Sequence, residues 1–154
     1  MQQVTMRKTS FIAFLSVLTL FGSLASCNKD KVAPVSERIA KVWTAQKVDE
    51  NSQTVYTRGA AANVRNYATF KLDLSAPPTV RYTEFDGNTF VGQYSVQGEN
   101  RLVLTNLTPS PTGIANGTIE FSIGPLSETE LRLTRTTASQ KTGNSTNAYT
   151  LSNP

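Results

Sequence analysis

The chain has no histidine in its 154 residues and a single cysteine, Cys27. Without histidine there is no imidazole base and no imidazole metal ligand, so Ser-His-Asp and Cys-His catalytic arrangements and His-containing zinc sites are excluded. One cysteine cannot close an intramolecular disulfide, so the fold has to hold by packing. Also missing are the Gly-x-Ser-x-Gly elbow, the phosphate loop and the dinucleotide glycine pattern. Basic residues do not cluster with aromatics, so nucleic acid is not an expected partner. The net charge of +4 is partly the work of Arg7 and Lys8, at the start of the chain. A long apolar run is lacking as well. The main one, residues 11–24, is interrupted by Ser16, Thr19, Gly22 and Ser23, and it falls short of the about 18 apolar residues that a spanning helix needs.

What is present at this end has the order of an export signal. A positive pair, Arg7 and Lys8, precedes the apolar run, which ends in Leu24-Ala25-Ser26-Cys27. Such a charged, then apolar, then small-residue sequence marks a secretory signal, and the cysteine that closes it resembles the bacterial lipobox. That resemblance implies acylation of Cys27 and a mature chain that starts there. The expected organisation is a signal peptide over residues 1–26, a lipidated cysteine and tether over 27–35, and one domain over 36–154. Stable anchoring takes more than one acyl chain. The expected address is the cell envelope, lipid-anchored in the outer membrane on its periplasmic side or at the surface, because Asn28 rather than an aspartate follows the cysteine.

Beyond the tether the hydrophobic pattern has a period of two. Ser36 is placed to cap a short helix over 37–42, with Glu37 in its first turn. Trp43 then opens a strand over 43–50, followed by one over 53–58. Phe70, Leu72 and Leu74 alternate with Lys71 and Asp73 in a strand over 67–74. Two runs, 80–85 and 90–96, flank Asp86-Gly87-Asn88-Thr89, a strong hairpin signal. Their register has two solutions. Either Val80, Tyr82 and Glu84 face inward and bury an acid, or Arg81, Thr83 and Phe85 do and bury an arginine. Further strands follow over 101–107, 118–123, 130–136 and 148–151, with Ile119, Phe121 and Ile123 and then Leu131 and Leu133 as their dry faces. Residues 108–116 are a long polar loop. Residues 137–147, rich in Thr, Ser, Gly and Asn, read as a mobile loop. Eight or nine short strands separated by turns predict an all-β fold, an antiparallel barrel or sandwich.

Acids are the remaining source of chemistry. Glu84 with Asp86, and Glu128 with Glu130, have the composition of glycosidase pairs, which need a cleft between them. Both pairs fall at turns, so the chain is not expected to be an enzyme. Asp86 and Asn88 offer oxygens to a calcium ion, but Asp-Gly-Asn is ordinary turn chemistry, and neither a metal nor another cofactor is expected. Sequons at Asn106, Asn116 and Asn144 matter only in a host that glycosylates them.

Residues 36–152 resemble the lipocalin-like domains of small lipoproteins from Bacteroidetes-type bacteria. The resemblance is carried by Trp43-Thr44 after a short helix, by Gly92-Gln93-Tyr94-Ser95-Val96 with Leu102-Val103-Leu104-Thr105 after a turn, and by residues 126–133. Lys41 stands where lipocalins usually carry a glycine, two residues before the tryptophan. The resemblance implies an antiparallel up-and-down β-barrel of about eight strands with a short N-terminal helix. An eight-stranded barrel either fills with side chains or holds one small ligand. Trp43, Tyr82, Phe90, Tyr94 and Phe121 are the large residues expected to point inward, as the lining of a ligand cavity or as plain core. Two functions follow. One is a membrane-anchored binding module for a small hydrophobic ligand. The other is a filled barrel that docks an envelope protein or glycan through its loops, with an exposed patch near Tyr56 or the 108–116 loop.

Overall fold

The computed structural model describes residues 31–154, so Cys27 and the expected signal peptide lie outside the described residues. The compact unit runs Val32–Pro154. It begins with one helical turn, α1 (Val35–Arg38). Nine strands follow: β1 (Val42–Glu50), β2 (Gln53–Thr57), β3 (Lys71–Ala76), β4 (Thr79–Thr83), β5 (Thr89–Gln97), β6 (Arg101–Thr108), β7 (Ile119–Leu126), β8 (Glu130–Arg135) and β9 (Asn147–Ser152). All their pairings are antiparallel.

Strand β1 closes the sheet on itself. One of its edges carries β9 from Thr44 to Glu50. The other carries β3 at Val42, Trp43 and Thr44, and then β2 from Lys47 onward. The ring is therefore eight strands, β1 and β3 to β9 in sequence order, with β2 folded back on the upper half of β1. Closure leaves the ring no free edge. The expected all-β, up-and-down antiparallel barrel with a short N-terminal helix is the fold observed.

The period-two pattern sets the core. Inward positions Leu72 and Leu74, Val80 and Tyr82, Leu102 and Leu104, Ile119 and Phe121, and Leu131 and Leu133 are all buried. The open register of the β4–β5 hairpin resolves with Tyr82 opposite Phe90 and Arg81 opposite Val91. Arg81 is thereby exposed, and Glu84 is the buried residue.

Two local expectations are corrected. The helix sits earlier and is shorter than 37–42: Pro34 is its N-cap with no side-chain cap bond, and Ser36 lies inside the turn. Proline fixes a backbone angle suited to entering a helix, and the chain is already extended at Val42. The segment 137–147 is not a loose polar loop but a packed one. Ser139, Thr142, Ser145 and Asn147 are buried. Ser145 Oγ donates to Asn147 Oδ1 at 2.6 Å, and Thr142 Oγ1 donates to the same oxygen at 3.2 Å. Polar side chains can fill a core where they satisfy one another.

Candidate functional site

The two ends of the barrel differ in chemistry. At the α1 end the closure is apolar: Ile39 and Trp43 are fully buried. The Trp43 indole Nε1 donates to the Ile39 carbonyl at 2.9 Å. Arg38 donates to the Leu126 carbonyl at 2.7 Å and Lys41 Nζ pairs with Glu128 at 2.9 Å, so this end is also tied to the β7–β8 turn.

The opposite end, the mouth, gathers the β1–β2 turn, residues 58–70, the β4–β5 turn, and the loops preceding β7 and β9. Aromatic rings fill it. Phe70 stacks on Tyr149 at 4.8 Å between centroids, Tyr82 lies 6.0 Å from Phe90, and Phe121 meets Tyr149 edge-on at 6.0 Å. Tyr67, from the segment between β2 and β3, packs on Tyr56, Phe70, Phe85 and Tyr149. Its hydroxyl donates to Glu50 Oε1 at 2.8 Å, and Arg65 Nε donates to the same oxygen at 2.7 Å. Asn147 Nδ2 donates to the hydroxyls of Tyr149 at 3.2 Å and Tyr67 at 3.4 Å.

Charged groups are threaded through this plug. Lys141 Nζ lies 2.5 Å from Glu84 Oε2 and 2.8 Å from Asp86 Oδ2, and 5.7 Å from the Phe90 ring centre. The contact with Glu84 is an ion pair, and Glu84 Oε2 has no geometrically sound hydrogen bond. Burial acts to raise the Asp86 pKa, but the bond from Lys141 and those from Asn88 outweigh it, so the carboxyl sits below its usual range. Lys141 is held above its own ordinary value: burial lowers it, and the carboxylates of Asp86 and Glu84 more than reverse that. Burial pushes the Tyr149 phenol up to about 12, with Glu84 and Glu50 adding to the rise and Asn147 and Arg135 opposing it. Tyr67 and Tyr82 are raised as well, burial again first. All three phenols are therefore neutral donors at neutral pH.

The five residues singled out from sequence are all buried, but they do not meet around one space. Tyr82 and Phe90 touch, and Phe121 joins them through the rings of Tyr149 and Phe70. Trp43 belongs to the other end. The Tyr94 hydroxyl donates to the Leu74 carbonyl at 2.9 Å, so it is bound to backbone. No cavity opens among the described residues. Tyr56 is buried and forms no exposed patch.

The acid pairs are ion-paired instead of facing a cleft: Glu84 and Asp86 share Lys141, Glu128 holds Lys41, and Glu130 holds Arg132. Asp86 also accepts from the Asn88 backbone and side chain. The residues that sequence reasoning missed are Tyr67, Arg135, Lys141, Asn147 and Tyr149. Two of them were within reach of the period-two rule, since Asn147, Tyr149 and Leu151 form an inward series.

No protein-family model matches the chain, and no curated protein sequence matches it. A solved structure does: a lipocalin-like protein from Bacteroides uniformis ATCC 8492, 18% identical, matched over 76% of this chain and 99% of that one with a TM-score of 0.49. The likeness is one of fold.

Proposed function

We propose that this chain is a lipoprotein of the cell envelope, anchored through Cys27 in the outer membrane, whose filled barrel is a rigid scaffold and whose mouth loops dock a protein or glycan partner. The observation that supports this reading is the interior. Aromatic side chains occupy the positions that a ligand would need, and no cavity is present among the described residues. A typical ligand site has a volume of about 300 Å³ or more. Work is then left to the surface, where loops held by a stiff barrel commonly carry recognition. Val64, in the segment that plugs the mouth, is 85% exposed.

A second reading, a binding module for a small hydrophobic ligand, is supported by the polar groups collected at the mouth. It requires the segment with Tyr67 to move aside. Photocrosslinking in intact cells separates the two. A crosslinker at Val64 or Thr112, both on mouth loops, is expected to give a discrete higher-mass adduct. One at Gln93, on the barrel wall, is not. Adducts equally frequent at all three positions, or at none, contradict docking through the mouth.

A further inference from the structure

Strand β8 turns Leu131, Leu133 and Arg135 into the barrel, and Arg135 pairs across to Phe121, which is fully buried. Arg135 is 3% exposed. Its Nε has no hydrogen-bond partner, and none of the ion pairs among the described residues includes it. A buried guanidinium without an anion is among the costliest arrangements a core can hold. The nearby acids are engaged elsewhere: Glu84 and Asp86 on Lys141, and Glu50 on Arg65 and Tyr67. Extending the pairing of Thr134 with Ala148 sets Arg135 across from Asn147 and diagonal to Tyr149, on the same inward face. The Tyr149 hydroxyl accepts from Asn147, which leaves its own proton free to donate.

We propose that Arg135 anchors a carboxylate-binding site in the mouth of the barrel, with the Tyr149 hydroxyl as its second donor. The planar guanidinium fork matches a carboxylate in two parallel hydrogen bonds. The guanidinium beside a neutral phenol suits a singly charged anion, because Lys141 already carries two carboxylates, Glu84 and Asp86, whose field repels a second negative charge. The carboxylate can belong to a short organic acid or to a fatty acid. Either reaches Arg135 past residues 58–70 or 136–146, which Tyr67 and Lys141 hold down. The site does not depend on the docking reading; with no cavity among the described residues, binding requires one of these segments to move aside.

The test is thermal unfolding of the barrel, residues 28–154, which contains the whole core, in sodium acetate, sodium octanoate and sodium chloride at matched ionic strength. A saturable rise in midpoint with a carboxylate and none with chloride is expected. Arg135→Met should abolish the response and, without any carboxylate, unfold at a higher temperature than the parent, because an unpaired buried charge is gone. Arg135→Lys keeps the charge without the fork and should respond at higher concentrations only. A response to both acids identifies a site for the carboxylate alone. A response to octanoate only identifies a fatty acid whose chain displaces the aromatic plug. The proposal falls if chloride acts equally well. It falls too if Arg135→Met unfolds below the parent while neither acid stabilises the parent, since Arg135 would then be a counter-charge for Glu84 and Asp86. Should that variant not fold, calorimetric titration of the parent decides: no saturable heat with either acid overturns the site.

Discussion

Tyr67 shows how one side chain closes the barrel. Its ring sits among four others and its hydroxyl joins the Glu50 carboxylate to the Asn147 amide. Hydrogen bonds to charged groups contribute about 1.5–3 kcal/mol, so Tyr67→Phe, which keeps the ring, should lower stability by about 2 kcal/mol in urea unfolding. An unchanged midpoint would mean that the hydroxyl has no part in closure. From sequence Tyr67 reads as the first residue of a strand. The structure instead turns the chain there, with the Phe70 amide bonded to the Tyr67 carbonyl at 3.0 Å, and pairing starts only at Lys71. Alternation cannot distinguish a strand from a turn that happens to place two aromatics inward. Glu84 was legible as one of two register solutions. Arg135 was hidden because a charged residue in an inward series breaks the pattern by which such a series is recognised.

Elements were legible where one face is wet and the other dry. Strands β3, β7 and β8 show this alternation, and their observed faces are those that the sequence gives. Gly92 marks where the regular ladder fails. A Cβ at this position would collide with the Thr105 carbonyl, beside an irregularity in the β5–β6 pairing between Val91 and Gln93. Glycine is needed there for close backbone approach. Gly92→Ala should therefore destabilise by about 1–3 kcal/mol, the range for an overpacked core, with the loss measured in urea unfolding. A neutral effect would show that β5 and β6 can part without cost. The packed segment before β9 was illegible because composition counts its serines and threonines as solvent-loving. Whether such residues find one another depends on tertiary placement.

At the scale of the whole molecule, the buried tyrosines and Lys141 make stability depend on alkaline pH. Each has a folded pKa above its unfolded value, about 10 for tyrosine and about 10.4 for lysine, so the unfolded chain loses these protons first. Their stabilisation is complete below those values and is lost as the pH climbs through the folded ones, with Tyr149 at about 12. Tyr149 alone accounts for a fall of roughly 3 kcal/mol, and Tyr149→Phe should flatten the decline of the urea midpoint above about pH 10. For the anchor, Cys27→Ser should move the protein from the membrane fraction to the soluble envelope fraction; retention in the membrane would contradict lipidation there. The interior of the barrel is filled among the described residues, and native mass spectrometry of residues 28–154, purified from the protein's own host and compared with the denatured mass, checks this. A native mass equal to the chain alone, unchanged after incubation with envelope lipid extract, is the predicted result. A reproducible extra mass in the range of a lipid or hydrophobic metabolite, released on denaturation, would contradict it.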